Sequence, residues 1–357
     1  MIRVDMSSRI PVRTRIWLFF LLPIFLVAGR SMAFAEAAES VPQYQVSQRW
    51  PLPGSGGSNF LIVSAKDHRL YLSRENQVTV LNTDDGSVQG AISGLTDVRG
   101  IAIDSEEKFG YIGGGIDGTL KVFSVPTLKV TSSVKIGGTP EAVVADPATH
   151  RVFVFDSHND EAVVVDPVAL KVIGTIKLPG RPASAIAGGD GLIYVNLGST
   201  SQLAQINART LTLQLKSLAP CVGPSEIALD SEHARLFSVC ENKLLAISDS
   251  HSGELQTALP IGEGARTVAF DPSDGLAISA NSDGTLTVVK ETSGMDFQAV
   301  ETVKTEPGAR TLGFDSAHRQ LYLISSKFGQ RSGPTSEELQ FRPTPIPNSS
   351  VVLVMKP

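Results

Sequence analysis

Three arginines and one glutamate occupy equivalent places in this sequence. Arg99, Glu141, Arg266 and Arg310 each stand five residues before a recurring turn, and Asn59, Ala183 and Ser225 take that place in three further copies. A guanidinium is a planar fork that binds carboxylate or phosphate through two parallel N–H···O bonds. If these positions face one axis, Arg99, Arg266, Arg310, Glu141, Asn59 and Ser225 form an anion-binding mouth. In the competing arrangement the arginines pair with Glu141, Glu226 or Glu263 and brace neighbouring units.

Other chemistry is thinly represented. Asp156, His158 and Asp160 could offer oxygen and imidazole ligands to a divalent cation. Their surroundings, Ser157 and Asn159, are what a tight hairpin needs anyway, so no metal is expected. His68, His150, His233 and His318 recur at one place in the repeat, which marks them as turn residues. The chain contains no HExxH, GxSxG or Walker A sequence. Gly113-Gly114-Gly115 reads as a hairpin, with no helix behind it to hold a phosphate. No catalytic residue and no cofactor are expected.

The elements that position these residues come from a repeat. The turn landmark is Asp104, Asp146, Asp230, Asp271 and Asp315, with Ser64 and Gly188 in two weaker copies, at intervals of 40–44 residues. A second landmark, Val80, Val122, Val164, Gln205, Ala246 and Val288, gives intervals of 41 and 42. The copy over residues 139–180 is the clearest. Its apolar runs Glu141–Ala145, Arg151–Phe155, Ala162–Val165 and Lys171–Leu178 are Val-, Ile- and Phe-rich and are separated by Asp-Pro and Ser-His-Asn-Asp turns. Four short strands per copy at this period predict an all-β, seven-bladed propeller of antiparallel blades.

The seventh copy holds only Arg310–Phe314, Gln320–Ser325 and Val351–Met355. Residues 44–54, YQVSQRWPLPG, match KVIGTIKLPG of the third copy, down to Leu-Pro-Gly. The N-terminal strand is therefore expected to complete the last blade and close the ring, Gln45–Leu52 pairing with Val351–Met355. About 23 residues interrupt this copy, roughly 327–349, with Pro334, Pro343, Pro345 and Pro347 denying them a strand ladder. They should emerge on the face of the arginines, as a solvated loop or as a lid.

Residues 1–35 read as a signal peptide. Arg3, Arg9, Arg13 and Arg15 precede an apolar run, Ile16–Val27, that is too short for an ordinary membrane span, and Ala33-Phe34-Ala35 fits a cleavage site. An uncleaved anchor is the alternative. Residues 36–357 then form one propeller domain, periplasmic or secreted, monomeric and without a membrane span. The net charge of −5 and the lack of a basic stripe weigh against nucleic acid as a partner. Cys221 precedes the first strand of the fifth copy and Cys240 ends its second, so both fall on one face and a disulfide is expected in an exported chain.

The segments GTPEAVVADPATHRVFVF, CVGPSEIALDSEHARLFSVCENKLLAISD, AFDPSDGLAISANSDGTLTVV and GARTLGFDSAHRQLYL resemble YVTN-type propeller repeats, and more closely the exported YncE-like proteins, which also carry a Pro-rich insert before the final strand. The resemblance implies fold and export and no agreed catalytic motif. The expected function is a non-enzymatic binding or scaffold protein taking a small molecule or protein on its loop face. The alternative, by analogy of fold, is a lactonase-like hydrolase or a quinone-dependent dehydrogenase. A single Trp outside the signal, Trp50, disfavours a quinone.

Overall fold

The computed structural model describes residues 43–54, 60–74, 76–293, 296–327, 329 and 346–357. The segment expected to be a signal peptide, Asn59, and most of the Pro-rich insert lie outside these residues. Among the described residues all regular structure is strand, arranged in seven antiparallel sheets of four. Each sheet is one blade of the expected propeller. Blades 1 to 6 run in chain order from Leu61–Ser64 to Asp296–Lys304. Every innermost strand touches that of the next blade, and blade 7 touches blade 1, so the ring is closed.

Burial is graded along the radius. In blade 3 the innermost strand is Pro140–Ala145, followed by Val152–Asp156, Glu161–Asp166 and Lys171–Lys177, each within a residue or so of the runs read from sequence. Val152–Asp156 is buried throughout, whereas Lys171–Lys177 buries only Ile176. Middle strands pack on both faces and so read as continuous Val and Phe; the outermost strand is mostly exposed and begins and ends on lysine.

The apolar clusters lie between blades. Phe153, Phe155 and Val164 of blade 3 pack with Ile193, Val195 and Leu197 of blade 4. Phe237 of blade 5 stacks on Phe270 of blade 6 at 5.4 Å between centroids. Polar groups cross the same seams. Arg69 Nη1 donates to the Val125 carbonyl of the next blade, and Arg151 Nη1 to that of Ala208, both at 2.7 Å.

Blade 7 is assembled from both ends of the chain. Its strands Thr311–Asp315, Gln320–Ser325 and Ser350–Lys356 are completed by Gln45–Leu52, which pairs antiparallel with Ser350–Lys356, as read from sequence. This strand also supplies side chains to two seams. Tyr44 and Val46 join the cluster between blades 6 and 7; Trp50 and Leu52 join that between blades 7 and 1. Tyr44 Oη donates to Asp271 Oδ2 of blade 6 at 3.0 Å. Burial, with Asp271 beside it, pushes the Tyr44 phenol well up, so it remains a donor. Trp50 lies 5.7 Å from Tyr322, and Gly54 and Asn348 exchange bonds at 2.7 and 2.9 Å.

The turn landmarks are caps. Asp104, Asp146, Asp230 and Asp315 each accept backbone N–H groups two to five residues on. The histidines belong to the same turns. His68 and His150 have φ of 52° and 57°, and His233 and His318 place Nδ1 at 2.8 and 2.9 Å from the capping carboxylates. Cys221 and Cys240 form a disulfide with Cα atoms 5.5 Å apart, tying the entry of blade 5 to the end of its second strand.

Removing residues 36–54 should sharply lower the melting temperature, and Trp50→Ala alone should cost about 3–5 kcal/mol. A truncated chain that melts like the intact one would show that the ring closes without this strand. Loss of the disulfide in Cys221→Ser/Cys240→Ser should cost about 3 kcal/mol for a loop of this size. Non-reduced tryptic peptides should show Cys221 and Cys240 linked, and full alkylation without reductant would contradict the bond.

Candidate functional site

The repeat places the sequence-derived residues on one face of the ring. Arg99, Glu141, Ser225 and Arg266 are each the second residue of an innermost strand, within Val98–Ile103, Pro140–Ala145, Pro224–Asp230 and Ala265–Asp271. Arg310 immediately precedes Thr311–Asp315.

These positions divide by what they touch. Arg99 donates through Nε to Asp97 Oδ2 at 2.8 Å and through Nη1 to Glu141 Oε2 at 3.4 Å. Glu141 Oε2 also accepts from Ser157 Oγ at 3.4 Å. Arg99 and Glu141 therefore brace blades 2 and 3, as the competing reading supposed. The Ser225 hydroxyl lies within bonding distance of the carbonyls of Arg266 and Val239, at 3.1 and 3.4 Å. The Arg310 carbonyl accepts from Thr267 Oγ1 at 2.7 Å. Arg266 is exposed, and its guanidinium makes no hydrogen bond or ion pair among the described residues. Its charge acts on Glu226 in the neighbouring blade.

The wall of the central channel is taken one residue further along each strand. A cavity of about 580 Å³ is lined at this level by Phe60, Gly100, Ala142, Ser184, Glu226, Thr267 and Thr311. Glu226 is the carboxylate of this ring of residues. Its Oε1 accepts from the Ser184 hydroxyl. Burial pushes the Glu226 carboxyl up, more than the Ser184 hydroxyl, the Ile227 amide and the Arg266 charge pull it down. Sequence reasoning considered Glu226 only as a partner for arginine. Shifting the repeat register by one residue would have exposed it, as an acid where the other copies carry small, aromatic or hydroxyl side chains.

Asp156 is engaged as a turn cap. Its Oδ1 accepts the amides of Thr139, His158 and Asn159 at 2.9, 2.8 and 3.3 Å, and Oδ2 accepts Asn159 Nδ2 at 2.6 Å. Burial works to raise this carboxyl, and the four donors outweigh it, so it sits below the ordinary carboxylate range. Asp156, His158 and Asp160 are not gathered into a cluster; among the described residues no group of three or more His, Cys, Asp or Glu could hold a metal ion. Most of the Pro-rich insert lies outside the described residues. Its base is tied where the Ile346 amide donates to the Lys327 carbonyl at 2.8 Å, and its role as a lid concerns residues outside those described.

Comparison with known proteins supports the fold more than the activity. No family model matches the chain. A 6-phosphogluconolactonase from Erwinia tasmaniensis is 25% identical over 247 residues, 68% of this chain. The match spans 63% of that enzyme's length. A chain of a mitotic checkpoint complex superimposes with a TM-score of 0.72 at 13% identity, covering 97% of this chain and 99% of its own. The WD40 repeats of RRP9 give 0.71 at 14% identity, covering 88% and 100%. Such likeness establishes the propeller architecture alone.

The raised Glu226 carboxyl sets a pH dependence. The folded chain holds this proton to higher pH than the unfolded one, so its contribution to stability falls as pH rises above the ordinary Glu value. Glu226→Gln should therefore gain melting temperature relative to wild type as pH rises above about 4.3, the ordinary Glu value. A difference that stays constant as pH rises would show that Glu226 is solvated like a surface acid.

Proposed function

We propose that this chain is an exported, YncE-like propeller that binds a small anionic molecule at the mouth of its central channel. The carrying observation is Arg266, whose guanidinium is exposed at the mouth without a hydrogen bond or ion pair among the described residues, with Arg310 at the equivalent place in the next blade. Arg310 has partners of its own that a ligand would share. A charge-assisted bond to such a group contributes about 1.5–3 kcal/mol. The disulfide supports export, since such bonds persist in oxidising compartments such as the periplasm or the exterior. In this reading residues 1–35 are a signal peptide, residues 36–357 act as one domain, and the loop face serves binding without catalysis.

A second reading is favoured by the 6-phosphogluconolactonase match. A lactonase adds water across an ester carbonyl, and the ring C–O bond breaks as its oxygen takes a proton. Glu226, raised by burial and facing the channel, is suited to supply that proton.

Calorimetry with succinate, citrate and inorganic phosphate should show binding that Arg266→Ala/Arg310→Ala weakens by about tenfold or more. No binding tighter than millimolar, or equal binding by both proteins, would make the mouth structural. Acid release from gluconolactone above the spontaneous rate, lost in Glu226→Gln, would favour the hydrolase.

A further inference from the structure

The channel below the mouth has a polarity that the anion reading leaves unused. At the level of Glu226, blades 4 to 7 contribute Ser184, Glu226, Thr267 and Thr311 in succession. Blade 1 contributes Phe60 at this level, and blades 2 and 3 contribute Gly100 and Ala142. One arc of the wall is therefore hydroxyl and carboxyl; the other runs from the aromatic ring of Phe60 through Gly100 to Ala142.

The polar arc keeps hydrogen-bonding capacity in reserve. Glu226 uses Oε1 for Ser184, while its Oε2 takes no hydrogen bond among the described residues. Ser184 and Thr267 are buried, and the Thr267 hydroxyl donates to the Arg310 carbonyl, leaving its lone pairs as acceptors. Burial favours the neutral form of Glu226, so this arc offers hydrogen-bonding groups more than a fixed charge. The cavity volume of about 580 Å³ falls within the range of small-molecule sites, which combine apolar walls with a few placed polar groups.

We propose that the channel holds a second site, for a neutral polyhydroxylated molecule of hexose size, with its hydroxyls on the Ser184–Glu226–Thr267–Thr311 arc and its C–H face on Phe60. This site is separate from the anion at the mouth, and either can fail without the other. The probes are glucose, mannitol and myo-inositol, added to the wild-type protein to tens of millimolar in calorimetry and thermal melts. At least one should bind saturably and raise the melting temperature. Ser184→Ala/Thr267→Val should weaken it by about tenfold, whereas Arg266→Ala/Arg310→Ala, the variant that discriminates the anion, should leave it unchanged. If the double variant does not fold, Phe60→Ala on the other arc should weaken the same probe. Absence of binding by wild type to all three probes overturns the proposal. So does affinity that survives both the Ser184→Ala/Thr267→Val and the Phe60→Ala changes.

Discussion

No blade of this protein encloses a core of its own. Its apolar side chains are shared across seams, as where Phe153 and Val164 of one blade pack on Ile193 and Val195 of the next. A blade in isolation would leave both faces in water, and a four-stranded sheet with two wet faces has little apolar burial to offset chain entropy. The ring must therefore close for any seam to be secure. That places the Gln45–Leu52 strand at the centre of the structure. It removes a free edge of blade 7, and through Tyr44 and Trp50 it fills two seams at once.

The same constraint shapes the site. Seven innermost strands in a closed ring hold equivalent residues at equivalent heights, so one sequence position becomes one level of the channel. At the upper level, groups that face a neighbouring blade are used to hold it: Arg99 with Glu141, and Ser225 with the carbonyls around it. One residue on, the channel lining includes Glu226, which has a hydroxyl, an amide and the Arg266 charge for company. Its perturbed acidity follows from the ring, since an acid at that position of an open sheet would be solvated. Perturbed groups in clefts are where binding and chemistry concentrate.

The turns show how closely local and global preferences agree. Asp146 and Asp315 cap their own hairpins, histidines sit in the turns they close, and Asp156 spends its oxygens on four donors. A carboxylate committed in this way has little left for a cation, although its spacing from His158 and Asp160 resembles a ligand set. Motif spacing alone does not report how many donors the backbone will aim at an oxygen.

The repeat period, the four strands per copy, the ring closed by the N-terminal strand and the Cys221–Cys240 pair were all legible in the chain. Each depends on short-range chemistry: alternating apolar runs, Asp and Gly at turns, or two residues that end neighbouring strands. The division of labour at the channel was not legible. Whether Arg99 meets a ligand or Glu141, and whether position 225 or position 226 faces the lumen, turns on which side of an innermost strand faces the next blade. That orientation is set by the packing of seven blades around one axis, and two residues adjacent in sequence point to different surroundings because strand side chains alternate. The tertiary structure alone decided that Ser225 would be bonded within the wall and Glu226 left facing the channel.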